Sequence, residues 1–182
     1  MGLTDEEKKE LLELARTSVD SKLTGCELFQ PRMTPTLGEK RGVFVTIKKR
    51  GQLRGCIGYI QGVQQLCDAV SEMARAAAFR DPRFPPVRKE ETPALTYEIS
   101  VLTPMREINS PDEIQIGVHG LYVVKGHHSG LLLPQVATEY HMDSLTFLEQ
   151  TCHKAGLPPD AWKEGDTKIF VFSAEVFCEG KL

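Results

Sequence analysis

The sequence predicts an α+β protein in which antiparallel or mixed sheets carry packed helices. Its strand-like segments come mostly in pairs joined by short polar turns, and helical segments are interspersed between these pairs. A regular α/β winding would alternate each strand with a helix, so hairpins with separate helices indicate α+β. Residues 1–182 are predicted to form a single domain, because no interior stretch has the composition of a linker between independent domains.

Three segments have helical patterns. Thr4 and Glu7 stand at the spacing of a capping box, which predicts that the first helix begins just after Thr4. A continuous apolar face predicts the second helix over residues 63–79, which ends before a proline-rich stretch. The third helix is predicted over residues 144–155, with Asp143 as its N-cap.

The strands follow from β-branched and alternating residues. Residues 42–47 and 53–60 flank a polar turn and predict a hairpin, and residues 95–102 alternate apolar and polar side chains. Residues 120–133 predict a second hairpin. The segment "KIFVFSAEVF", residues 168–177, is apolar on both faces, which predicts one long strand in the centre of a sheet.

Composition excludes several classes of function. The net charge of −3 provides no basic field for nucleic acid or for an anionic membrane. No run of about 18 apolar residues exists, so no membrane span is predicted, and the charged N-terminus lacks the apolar core of a signal peptide. The five cysteines form no CxxC pair, which argues against a disulfide framework and favours a reducing, cytoplasmic setting.

Metal and cofactor sites are also not predicted. The five histidines lack the spacings typical of metal ligands, and the sequence has none of the glycine-rich loops that bind phosphates or dinucleotides. We therefore expect no metal and no cofactor.

The hexapeptide "LRGCIG", residues 53–58, is the main candidate for chemistry. Alternation along a strand would put Arg54, Cys56 and Gly58 on one face. The guanidinium would then favour the thiolate of Cys56, and Gly58 would leave the face bare for a ligand. Alternatively, Gly55 and Gly58 permit a bulge or close packing, Cys56 is a small core residue, and Arg54 pairs with an acid.

A cysteine nucleophile needs a base and an orienting group. His119, at the start of a predicted strand, is the candidate base. Glu98 lies on the polar face of the strand over residues 95–102 and could pair with Arg54 or orient His119. A pair between Glu98 and Arg54 would compete with Cys56 for the arginine's charge.

Three further residues are candidate ligand-binding positions, together with Gly55 and Gly58. Asp81 and Arg83 flank a proline in "DPRF", where an internal salt bridge is the alternative interpretation. Gln135 follows the proline in "LLLPQVA", and its amide could contact a ligand or cap the next helix.

Seven ordered motifs resemble those of the AMMECR-one domain family. They are "GVFVTI", "LRGCIG", "AAAFRDPRFPPV", "YEISVL", "VHGLYV", "GLLLPQVATEY" and "FLEQTCHKAGLPPDAW", and they extend over nearly the whole chain. The resemblance implies an intracellular α+β protein with two lobes separated by a cleft. The larger lobe would carry "LRGCIG", and part of the middle of the chain would form the smaller lobe. It also implies a pathway shared with a Memo-type protein and a radical S-adenosylmethionine protein, and it provides no accepted set of catalytic residues.

Three functional hypotheses follow. The first is a module that binds a small molecule, a peptide or one of the pathway proteins. The second is an enzyme in the cleft, with Cys56 as nucleophile, Arg54 as its electrostatic activator, His119 as base and Glu98 as the orienting group. The third is a nucleic-acid-associated regulator, against which the negative net charge argues.

Overall fold

The computed structural model of the protein describes residues 2–180 and confirms the α+β class. Its helices are α1 (Asp5–Thr24), α2 (Leu66–Phe79), α3 (Pro134–Glu139) and α4 (Ser144–Lys154). Its strands are β1 (Val43–Lys49), β2 (Gln52–Tyr59), β3 (Leu95–Leu102), β4 (Arg106–Ile108), β5 (Gly120–Lys125), β6 (His128–Leu132), β7 (Lys168–Phe172) and β8 (Ala174–Cys178). Short 3₁₀ turns lie at Lys89–Ala94, Pro111–Glu113 and Ala161–Lys163.

The chain divides into two compact units. The first contains residues up to Leu102 together with those from Glu175 onward, and the second is Thr103–Ala174. The first unit carries the hexapeptide. The second is formed by a continuous segment from the middle of the chain.

The first unit is a sheet with two helices on one face. The strand order is β2-β1-β3-β8, with β1 antiparallel to both β2 and β3. Alternate residues of the central strands, such as Val45 and Ile99, are fully buried against α1 and α2. The apolar face predicted for residues 95–102 is confirmed, because Tyr97 and Val101 are buried on it, whereas the opposite face is also buried from Ser100 onward.

The capping box predicted for α1 is confirmed. Thr4 Oγ1 accepts a hydrogen bond from the Glu7 N–H at 3.2 Å, and Glu7 Oε2 accepts one from the Thr4 N–H at 2.8 Å. Gly25 ends the helix in the left-handed conformation, at φ +74°, which glycine adopts without steric cost.

The second unit is a sheet of order β4-β7-β5-β6, with α4 packed on β5 and β6. Leu121 and Val123 of β5 meet Phe147 and Leu148 of α4 in its core. Asp143 caps α4 as predicted, since its Oδ1 accepts from the Thr146 N–H at 2.7 Å.

Several boundaries differ from the predictions. The single long strand over residues 168–177 is wrong: the chain breaks at Ser173, and its two halves join different sheets. β7 is central in its sheet, whereas β8 lies at an edge. The second helix begins at Leu66 and not at residue 63, and Val63, which precedes it, is 59% exposed and so does not belong to its buried face.

No helix among residues 2–180 has the length and apolar character needed to cross a membrane.

Candidate functional site

The hexapeptide lies on β2, an edge strand that contains a bulge. Gly55 faces Ile47 across the hairpin, but Leu53 faces Lys48, so Arg54 is an extra residue in the pairing. The alternation predicted for the whole hexapeptide therefore fails at its first two residues. Leu53, which precedes the bulge, is 44% exposed.

Gly55 is a packing joint between β2 and α2. A Cβ on this residue would lie 2.1 Å from the carbonyl oxygen of Ala77, a backbone atom near the end of α2. No side chain fits there, so glycine is required for the helix to approach the strand. Gly55 has no open space for a ligand, and its predicted role in ligand binding is not supported.

Gly58 does not leave the sheet bare. A Cβ at this position would lie 2.4 Å from the ring of Phe44, the residue directly opposite on β1, and 2.4 Å from the carbonyl oxygen of Val43. The aromatic ring occupies the space that was predicted to admit a ligand. The alternative of close packing accounts for both glycines.

The Cys56 thiol is half-buried and faces a hydroxyl group. Thr46, its cross-strand partner on β1, directs Oγ1 at Sγ with 3.2 Å between the two atoms. The next residue in the same cross-strand row is Glu98 on β3. This row was not predicted, because the bulge changes which residues of β1 and β2 face each other.

Two side chains from the turn after α2 cover the main chain of Cys56. Its N–H donates to Asp81 Oδ2 at 2.9 Å, and its carbonyl oxygen accepts from Arg83 Nη2 at 3.2 Å. These groups point away from β1, at an edge where another strand could otherwise pair. Asp81 and Arg83 thus satisfy the main-chain N–H and carbonyl of Cys56, which would otherwise be free at the edge of the sheet.

Asp81 and Arg83 also form the internal salt bridge considered from the sequence. Arg83 Nε and Nη2 donate to the two carboxylate oxygens at 2.9 and 2.7 Å. The Asp81 side chain is only 1% exposed, whereas that of Arg83 is 54% exposed. The guanidinium and the Cys56 N–H hold the pKa of Asp81 well below its usual range, against the opposing effect of burial.

Arg54 pairs with Glu91, which no sequence pattern had indicated. Its Nε and Nη2 each donate to a different carboxylate oxygen of Glu91 at 3.1 Å, and Lys49 Nζ contacts the first of these at 2.8 Å. The Arg54 hydrogen bonds lower the pKa of Glu91 to about 2, with a further contribution from Lys49 and against desolvation. The alternative pair between Arg54 and Glu98 is not formed, and Glu98 binds Lys48 at 2.8 Å.

The guanidinium that contacts Cys56 is that of Arg83 and not that of Arg54. The Nε and Nη2 groups of Arg54 are directed to Glu91. The contacts of Arg54 are those of a structural ion pair, which was the alternative interpretation of the motif.

The two other candidates lie in the second unit. Nδ1 of His119 accepts a hydrogen bond from the Gln115 N–H at 3.1 Å, and Gln135 is exposed on α3. All five histidines of the chain fall between residues 119 and 153, so the first unit has none. Within its own unit, Cys56 has no histidine to act as a base.

No group of three or more His, Cys, Asp or Glu side chains within residues 2–180 is arranged to hold a metal ion.

Comparison with known proteins identifies the family. The family model AMMECR1 matches residues 12–177. Protein Mbar_A1807 of Methanosarcina barkeri is 46% identical over 97% of this chain and 92% of its own length. Protein PH0010 of Pyrococcus horikoshii is 46% identical over 97% of this chain and 92% of its length. The crystal structure of that uncharacterized protein matches with a TM-score of 0.82 at 45% identity, covering 93% of this chain and 90% of the other. The chain therefore belongs to the AMMECR1 family.

Proposed function

We propose that the protein is a non-catalytic module that binds a ligand or partner protein in a pathway with Memo-type and radical S-adenosylmethionine proteins. The observation that carries this proposal is the environment of Cys56. Its main-chain N–H, its carbonyl oxygen and its sulfur each meet a side chain of the same unit. The two main-chain contacts close the edge of a sheet and would be made by any residue at this position, and the thiol itself contacts the Thr46 hydroxyl.

The chemistry of the neighbours supports binding over catalysis. A cysteine nucleophile is activated by a base within hydrogen-bond reach or by a positive charge directed at the sulfur. The group on Sγ is the Thr46 hydroxyl, which is not a base near neutral pH. Arg83 donates to the carbonyl oxygen of Cys56, and its remaining bonds go to Asp81.

The pathway part of the proposal rests on family membership. The partners it names are a Memo-type protein and a radical S-adenosylmethionine protein from the same organism. We expect the purified protein to associate with at least one of them in calorimetry or size-exclusion chromatography. Failure to associate with either, alone or together, would refute this part.

Replacement of Cys56 by serine tests the non-catalytic part. We expect Cys56→Ser to fold normally, to keep partner affinity within about twofold, and to complement a strain that lacks its own family member. Cys178→Ser, at another half-buried cysteine of the same unit, is the matched control. A Cys56→Ser protein that folds and binds normally but fails to complement would contradict a non-catalytic role.

A cysteine-dependent enzyme is the second candidate, and one contact favours it. The Thr46 hydroxyl donates a hydrogen bond to Sγ, a contact that would orient the sulfur of a nucleophile. Iodoacetamide labelling, followed peptide by peptide, separates the two candidates. Binding alone predicts that Cys56 reacts no faster than the exposed Cys26, whereas a nucleophile would react faster at neutral pH.

A further inference from the structure

The second unit contains a groove that the role proposed for Cys56 does not explain. It is an open groove of about 310 Å³ between β6, α3 and α4, and every residue that lines it belongs to this unit. Its apolar wall consists of Leu132, Val136, Tyr140 and Met142. A volume of this size is at the lower end of the range for small-molecule sites, so the groove suits a small ligand.

The apolar wall includes an aromatic ring exposed to solvent. Tyr140 is 70% exposed although it directly follows α3 and adjoins half-buried residues of the groove. A large ring in this position offers an apolar contact surface with a polar hydroxyl at its end. A ligand in the groove would cover area that the folded chain leaves in water.

The backbone beside the ring adopts an uncommon conformation. His141, between Tyr140 and Met142, has φ +51°, a region that residues other than glycine rarely occupy. The Met142 N–H donates to the Ala137 carbonyl at 2.9 Å, which holds this turn against the end of α3. Such conformations persist where surrounding contacts maintain them, and they are frequent in ligand-binding segments.

The charge of the groove is positive at one end. Lys154 and its neighbour His153 line it at the end of α4, and none of the lining side chains is acidic. Lys154 forms no ion pair with any residue in the described range 2–180. An apolar wall beside an ammonium group that has no carboxylate partner is complementary to a ligand that has an apolar body and one anionic group.

We propose that this groove binds a small amphipathic anion, with its apolar body against Val136 and Tyr140 and its anionic group at Lys154. The inference rests on the proposed binding function and names the chemical class of one ligand. It does not involve Cys56, so the two proposals are tested by different variants.

The test uses a pair of fluorescent probes that differ only in charge. Anilinonaphthalene sulfonate carries one anionic group, and its parent anilinonaphthalene is uncharged. We expect saturable binding of the sulfonate to the full chain. Lys154→Gln should weaken the sulfonate about two- to fivefold and leave the uncharged probe unaffected, as for a partly exposed ion pair. Tyr140→Ser should weaken both probes about tenfold, because it removes the exposed ring without opening the core.

Lys168→Gln is the matched control. Lys168 is a 63% exposed lysine of the same unit, on β7, and its replacement changes the net charge equally. Equal effects of Lys154→Gln and Lys168→Gln on the sulfonate would overturn the proposal, as would non-saturable binding or binding unaffected by Tyr140→Ser. If partner association remains intact in any of those cases, only the groove ligand is refuted and the proposed function stands.

Discussion

Replacement of Asp81 by asparagine is expected to destabilise the protein in a way that depends on pH. The Asp81 carboxylate accepts four hydrogen bonds, one from the Cys56 N–H and three from the main chain and guanidinium of Arg83. Asparagine keeps the size of the side chain but removes its charge and one acceptor oxygen. The variant therefore weakens the link between the end of α2 and the edge of β2.

The expected magnitude follows from burial. Removal of one partner of a fully buried ion pair costs about 3–5 kcal/mol. Asp81 is 1% exposed, but the Arg83 side chain is 54% exposed and stays hydrated without its partner. We therefore expect Asp81→Asn to lower the free energy of unfolding by about 2–3 kcal/mol at pH 7.

The pH dependence has a definite sign. The folded protein holds the pKa of Asp81 below that of the unfolded chain, so its contribution to stability is complete above the unfolded pKa and declines as the pH falls. With an unfolded pKa of about 3.9, the wild type loses about 1.3 kcal/mol of this contribution by pH 3. The difference between wild type and Asp81→Asn should shrink by that amount.

Urea unfolding at pH 7 and pH 3, followed by far-ultraviolet circular dichroism, measures both quantities. Tryptophan fluorescence is unsuitable, since the single tryptophan, Trp162, lies in the second unit. Glu113→Gln is the control, because its ion pair with Arg106 is exposed to solvent and should contribute little to stability. A difference below that of the control, or one equal at both pH values, would refute the role assigned to Asp81.

Two further variants test the contacts around the hexapeptide. Gly55→Ala should lower the free energy of unfolding in urea by about 3 kcal/mol, because the new Cβ meets the backbone carbonyl of Ala77. Gly165→Ala is the control: its Cβ meets no atom within 4 Å, so it should change stability by less than about 0.5 kcal/mol. Glu91→Gln should cost about 2–3 kcal/mol at pH 7 because it leaves the buried Arg54 without its carboxylate, and equal stability of variant and wild type at pH 7 would refute the pair.

The sequence was informative where local chemistry determines local structure. The capping box at Thr4 and the alternation over residues 95–102 were sufficient to predict α1 and β3, since each pattern depends only on near neighbours. The break at Ser173 left no such pattern. The segment over residues 168–177 has apolar residues on both faces, and its two halves, β7 and β8, are both strands that differ only in the sheet they join.

Alternation did not predict which residue faces Cys56, because the hairpin of β1 and β2 contains a bulge. Arg50 and Gly51 form its turn, with φ of +52° and +81°, and counting outward from them pairs Thr46 with Gly55. The bulge shifts that register by one residue, so Thr46 faces Cys56 instead. Periodicity contains no information about where a bulge falls.

Ion pairs between residues far apart in the sequence could not be predicted either. Glu91 lies 37 residues from Arg54, in a 3₁₀ turn without a distinguishing motif. The salt bridge of Asp81 with Arg83 was considered because the two residues are neighbours, but the role of both at the edge of β2 depends on where α2 ends. Such partnerships depend on the tertiary fold, and a single sequence does not reveal them.

The junction at Ser173 determines the order in which the two units can be completed during synthesis. Thr103 and Ser173 exchange two hydrogen bonds of 2.8 Å, where the chain leaves the sheet of the first unit and where it returns. β8 is translated only after all of residues 103–173, so the second unit can close while the first still lacks a strand. During that interval β3 has an unpaired edge, and Tyr97 lacks the Glu179 carboxylate that accepts from its N–H. The first unit, whose synthesis begins first, is thus the last to acquire all of its strands.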